Sequence, residues 1–219
     1  MPDIRAIIFD MDGVLLDSEP LHQAAMNAVL APHGHRVDDA EFVTYIGSSA
    51  RETWQAVLHR RGLPGPVDSW ITEYDAVVVR IVRGQAVPMP GLLPLLDDLR
   101  AAGVPLAVAS SSACAWIDAT LETIAVRDYF AVVVSGSEVA HSKPAPDVFL
   151  RAAELLGVAP THCAVIEDSP RGLQAARAAG MFVVALQAGW HHDGPALEPP
   201  DADLVVNGMA AFHAWWRWR

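Results

Sequence analysis

The apolar positions of the chain fall into three successive rhythms. Ala6-Ile7-Ile8-Phe9 is a short continuous apolar run with β-branched residues, the pattern of a buried strand. From residue 19 the spacing becomes helical, with Leu21, Ala24, Ala25, Ala28 and Val29 on one side. Asp17-Ser18 offers an N-cap just before this pattern, and Pro20 is tolerated in the first turn. Helices are predicted over 19–32, 38–46, 49–62 and 67–84, separated by Pro32-His33-Gly34, Gly47-Ser48-Ser49 and Gly62-Leu63-Pro64-Gly65-Pro66. Val77-Val78-Val79 has strand propensity, but its position ahead of a long αβ alternation assigns it to the last of these helices.

The third rhythm begins after Pro88-Met89-Pro90-Gly91. Helix and strand now alternate: helices over 92–102, 113–124, 145–156 and 170–179, strands over 105–110, 132–135, 163–167 and 181–186, then a short strand at 204–206 and a closing helix at 208–217. Apolar strands alternating with helices, several of them ended by Gly, predict an α/β fold with a doubly wound parallel sheet covered on both faces. The helices of 17–85 form an all-helical insertion, so the α/β core is assembled from 1–16 and 86–219.

Length agrees with that division, because 219 residues is about one and a half typical domains. Hydrophobic residues make up 52% of the chain, yet no uninterrupted apolar run reaches the ~18–20 residues that span a bilayer. Asp3 and Arg5 interrupt the amino terminus and the strand after them is too short for a signal peptide's apolar region, so a cytoplasmic protein is expected. Cys114 and Cys163 have no metal-type spacing and are expected to stay free, Cys163 as a small buried hydrophobe. A formal net charge of −11 disfavours nucleic acid and anionic membranes as partners, so an anionic ligand has to be held locally. A monomer is expected.

Against fourteen Arg the sequence has one Lys, Lys143. A solitary Lys in so Arg-rich a composition suggests a position needing a compact ammonium rather than a planar fork. In open parallel sheets ligands sit beyond the carboxyl ends of the strands, where strand order reverses. The polar groups at predicted strand ends or in following loops are Asp10 and Asp12, Ser110-Ser111-Ser112, Ser142-Lys143-Pro144 and Glu167-Asp168-Ser169. Two carboxylates leaving one strand together call for a cation or a shared proton, and Gly13 frees the second to swing over a common site.

The run Phe9-Asp10-Met11-Asp12-Gly13-Val14-Leu15-Leu16-Asp17-Ser18, with the three later pieces in order, resembles the haloacid dehalogenase superfamily, in its phosphatase and β-phosphoglucomutase-like branch with a small helical cap. The resemblance covers essentially the whole chain. It implies a Rossmann-like core, Asp10 as nucleophile and Asp12 as general acid and base. It implies Mg²⁺ held by Asp10, Asp12 and Asp168, with Glu167 as an outer or second acidic contact, and phosphate held by Ser110, Ser111 and Lys143. The implied partner is a small-molecule phosphate ester, most naturally a sugar phosphate, with Glu19, His22 and Arg51 of the cap setting specificity. Cap closure is expected to hinge near 14–18 and 84–90.

Relatives that cleave phosphonates carry a cap Lys as a Schiff base, and β-phosphoglucomutases also place a Lys in the cap; this cap has none. Arg80 or Arg83 could stand in for its charge, which keeps a mutase as the alternative. A catalytically silent binding protein would be expected to have lost Asp10, Asp12, Lys143 or Asp168, and all are present. His191-His192, in a Gly-rich loop, read as solvated rather than metal-binding, and Trp215, Trp216 and Trp218 as packing of a terminal helix.

Overall fold

The computed structural model of the protein describes residues 2–46, 48–187 and 202–218. The paired histidines 191 and 192 lie outside them. Six parallel strands form one sheet: β1 (Ala6–Phe9), β2 (Leu106–Ser110), β3 (Val132–Ser135), β4 (Cys163–Glu167), β5 (Phe182–Leu186) and β6 (Leu204–Val206), in the order β3-β2-β1-β4-β5-β6. The doubly wound sheet expected from the alternation is therefore present, and the order reverses direction at β1, flanked by β2 and β4.

Each strand sends alternate residues to opposite faces. Ile7, Phe9, Val108, Ile166 and Val184 join one apolar cluster, covered by α5 (Leu92–Ala101), α6 (Cys114–Thr123) and α9 (Met209–Arg217). Ala6, Ile8, Ala107, Ala109, Val165 and Ala185 join a second, covered by α7 (Asp147–Leu156) and α8 (Pro170–Ala178). Small side chains on this second face let Ala152 and Ala153 of α7 settle closely against the middle of the sheet.

Four helices stand between β1 and α5 in the chain: α1 (Glu19–Leu30), α2 (Asp39–Val43), α3 (Ala50–Arg61) and α4 (Val67–Gln85). Val77-Val78-Val79 is helical, because Trp70, Tyr74, Val78 and Val82 make a buried stripe at helical spacing. The helix predicted at 19–32 tightens into a 3-10 turn at Ala31–His33, where Pro32 has no N–H and Gly34 turns left-handed. The helix predicted at 38–46 shortens to α2, since Thr44 Oγ1 donates to the Glu41 carbonyl and ties off its end. Ser18 occupies the N-cap position of α1 without making the expected cap bond, because its backbone is already in the helical region. Among the described residues no helix is long and apolar enough to cross a membrane.

At the carboxyl end Trp215 stacks on Phe182 with ring centroids 5.8 Å apart, and Trp216 is buried. Trp218 departs from the expected packing and is 85% exposed, one residue past the end of α9. Both cysteines are free, Cys163 buried and Cys114 exposed.

Candidate active site

The reversal of strand order brings the ends of β1 and β4 side by side. Asp10 leaves β1 with its N–H still donating to the Ile166 carbonyl at 3.0 Å, and Glu167 and Asp168 leave β4 beside it. Gly13, at φ +71, turns the chain back on itself with its N–H on the Leu16 carbonyl at 2.9 Å. Lys143 arrives from the loop between β3 and α7, followed by a cis Lys143-Pro144 bond. Asp10, Lys143, Glu167 and Asp168 are all buried.

Lys143 is the centre of this group. Its Nζ donates to Asp10 Oδ1 at 2.5 Å, Glu167 Oε1 at 2.9 Å and the Ala109 carbonyl at 3.3 Å. Three acceptors converging on one point suit the three donors of an ammonium and not a planar guanidinium, which is the physical reason for a Lys here. Burial works against the charge of Lys143, but Asp10 and Glu167 outweigh it and hold the pKa above its ordinary value. Burial also pushes the Asp10 carboxyl up to about 8, against the pull of Lys143 and with the repulsion of Glu167 and Asp12. Glu167 is fixed from its other oxygen, which accepts from Ser169 N at 2.7 Å and Ser169 Oγ at 3.0 Å. Ser169 in turn caps α8 through Gly172 N at 3.1 Å.

Arg171 is a member of this network that the strand-end reasoning overlooked. Its Nε and Nη2 both donate to the Lys143 carbonyl, at 3.2 and 2.8 Å, so it holds the backbone from which the ammonium is suspended. A signal was available: a cation in the first turn of a helix opposes the helix dipole and so requires a partner.

Asp12 sits across from Asp10. Its Oδ2 accepts from Ser112 Oγ at 2.9 Å, while its Oδ1 is buried without a partner. Of the three serines after β2, it is thus Ser112 that touches a site carboxylate. Ser110 is fully buried and its Oγ accepts from Ser112 N at 3.1 Å, shaping the loop, whereas Ser111 is exposed. None of them caps α6, whose N-cap is Ala113. Ser135 at the end of β3 braces the same loop by donating to the Ser112 carbonyl at 2.6 Å.

The residues expected to set specificity divide. Glu19 and His22, on the first two turns of α1, lie within the field of Asp12. Burial, then Asp12 and Asp17, raise the Glu19 carboxyl to about 7. His22 pairs through Nδ1 with Tyr74 OH, and burial lowers its pKa. Arg51 lies on the exposed surface of the insertion, in an ion pair with Asp68. Its neighbour Glu52 closes a capping box with Ser49 at the start of α3, and those hydrogen bonds lower its carboxyl pKa.

A divalent cation fits this arrangement. Asp10, Glu167 and Asp168 bring carboxylate oxygens within 4.8 Å of one another. A Cβ on Gly13 would collide with the Asp168 carboxylate, so the loop leaves a cradle for that group. Both Glu167 oxygens are engaged, one by Lys143 and the other by Ser169. An oxygen donor set with few protein carboxylates is the kind that Mg²⁺ prefers.

The sequence profile of the haloacid dehalogenase-like hydrolases matches residues 4–180. Fructose-1-phosphate phosphatase YqaB of Escherichia coli K12 is 37% identical over 180 residues, covering 81% of this chain and 94% of that protein. CbbY of Rhodobacter capsulatus is 36% identical over 196 residues, covering 83% and 85%. Among solved structures, that of a CbbY mutant from Rhodobacter sphaeroides in complex with xylulose-(1,5)bisphosphate superposes with a TM-score of 0.83 at 27% identity, covering 94% of this chain and 95% of that one.

Proposed function

The chain belongs to the haloacid dehalogenase-like hydrolases, and from that premise we propose that it is a Mg²⁺-dependent phosphatase of small sugar phosphates. The observation that carries this reading is the buried Lys143–Asp10–Glu167 network at the switch point of the sheet, with Asp12 and Asp168 beside it. Asp10 attacks phosphorus through its carboxylate oxygen, and the P–O bond to the alcohol breaks. Asp12 gives its proton to the leaving alkoxide. Asp12 then takes a proton from water, whose oxygen attacks the aspartyl-phosphate and releases inorganic phosphate and the Asp10 carboxylate. Splitting the reaction into two displacements lets one positioned carboxylate act as nucleophile and the other as acid, then base.

Lys143 keeps Asp10 oriented and offsets negative charge as the phosphate dianion approaches. The Ser111 N–H and the exposed Ser111 hydroxyl would hold phosphate oxygens, on a loop that Ser110 shapes by accepting from Ser112 N. When bound by Asp10, Asp168 and the Asp12 carbonyl, Mg²⁺ neutralises charge on the transferring phosphoryl group. Residues 17–85 act as a cap that closes over the site and carries Glu19 and His22 to the alcohol end of the substrate, while Arg51 stays on the exposed surface with Asp68.

The mutase alternative needs a cation in the cap. Tyr74 of α4 is buried toward His22, and at about 3.6 residues per turn Arg83 lies on the opposite side of the helix and Arg80 about 120° away. Both are exposed and off the Tyr74 side of the helix, which favours the phosphatase reading.

The test is ³¹P NMR of the purified protein with Mg²⁺ and hexose, pentose and triose phosphates, including β-glucose 1-phosphate with a trace of its bisphosphate. Inorganic phosphate is expected to grow in, and to be absent with Asp10→Asn. Conversion of the 1-phosphate to the 6-phosphate without phosphate release would sink the phosphatase reading in favour of the mutase.

A further inference from the structure

Buried donors without partners are rare in folded proteins, and each needs a reason. Three buried side-chain atoms among the described residues lack one: Asp12 Oδ1, Trp116 Nε1 and Thr120 Oγ1. Thr120 lies fully buried in α6, where a Thr hydroxyl can turn to the carbonyl one turn back. An indole N–H is rigid and donates only along its ring plane, so Trp116 has no such recourse.

Trp116 stands where the helical insertion meets the core. It follows by four residues Ser112, which holds the other oxygen of Asp12. Its ring meets that of His22 edge to face, with centroids 4.4 Å apart, and His22 is itself paired with Tyr74 of α4. A buried donor on one wall and a buried acceptor on Asp12 thus occupy the same seam. A hydroxyl is the group that can accept from the first and donate to the second.

We propose that Trp116 is a specificity-determining residue whose indole N–H donates to a hydroxyl on the alcohol portion of the substrate. The assignment rests on the sugar-phosphate reading above and adds a contact from the core side of the seam, opposite Glu19 and His22. It explains why a Trp occupies a position where Phe would pack on His22 equally well: the ring supplies the wall, and the N–H selects. A site that offers a buried donor discriminates strongly against a ligand lacking the acceptor, because the donor is then left unpaired.

The experiment compares Trp116→Phe with the wild type in the presence of Mg²⁺. The readout is the ratio of kcat/KM for the best hexose phosphate to that for p-nitrophenyl phosphate, which has no hydroxyl. The ratio is expected to fall about 10- to 100-fold, mainly through KM for the sugar. An unchanged ratio overturns the assignment, whether activity is retained or both substrates lose equally. Deoxy-hexose phosphates assayed on the wild type keep the test open even where the variant folds poorly. One deoxygenated position is expected to lose the same factor, and uniform tolerance of every deoxygenation overturns the assignment. A wild type that does not prefer sugar phosphates over p-nitrophenyl phosphate overturns the sugar-phosphate reading itself, and the Trp116 contact with it.

Discussion

Gly13 carries two demands that meet at one atom. Its φ of +71 lies in the left-handed region, and a Cβ there would run into the Asp168 carboxylate. Gly13→Ala therefore strains the turn and displaces Asp168, one of the carboxylates proposed to hold the metal. Phosphatase activity is expected to fall by about 100-fold, the scale on which small displacements act in positioned sites. The Mg²⁺ concentration needed for half-maximal rate should rise with it, while melting shifts by only a few degrees. Unchanged Mg²⁺ dependence would remove Asp168 from the metal site. The strand-end motifs were legible because each is contiguous: Asp10 with Asp12, and Glu167 with Asp168, leave single strands. What could not be read locally was which serine serves Asp12 or what braces Lys143. Those answers depend on β2 and α8 converging from distant parts of the chain, so the partners of Ser112 and Arg171 emerge only in three dimensions.

Elements were more legible than their ends. All six strands and the helices of both halves fall where hydrophobic period places them, while boundaries move by up to three residues as local bonds decide. The tie between α2 and α3 is an example of what periodicity leaves out. Glu41 of α2 receives Arg61 of α3 through two bonds at 2.7 and 2.6 Å and also Tyr45 OH at 2.6 Å. The Arg61 hydrogen bonds come first among the causes that lower the Glu41 carboxyl to about 2 from an ordinary 4.5. Because the folded pKa is depressed, this stabilisation is fully present above the unfolded value of 4.5 and is lost as pH falls toward 2. Glu41→Gln should cost roughly 3 kcal/mol at pH 7, since Arg61 is nearly buried and loses its counter-charge. The cost should shrink as wild type and variant are compared at progressively lower pH in denaturant titrations. A difference that stays constant between pH 7 and pH 3 would mean that packing, not charge, makes the tie.

At the scale of the molecule, the helical insertion and the α/β core share one apolar interior. A single cluster passes from Phe9, Val108 and Ile166 on the sheet, through Leu15 and Leu16 after β1, to Trp54, Trp70, Tyr74 and Val82 of α3 and α4. Met89 N donates to the Leu15 carbonyl at 2.8 Å, so the two chain crossings between insertion and core are themselves bonded together. Closure of the proposed cap would have to work against this continuity. The consequence for stability is a single cooperative transition. Trp54 is 1% exposed and packs on Trp70 and Tyr74, so Trp54→Ala should cost about 3–5 kcal/mol. If the interior is shared, that loss is felt by the whole chain: amide hydrogen exchange should accelerate in β1 and β4 by the same factor as in α3 and α4. Faster exchange in α3 and α4 with β1 and β4 unaffected would instead make the insertion a separately melting unit, and cap closure would then be free to involve local unfolding.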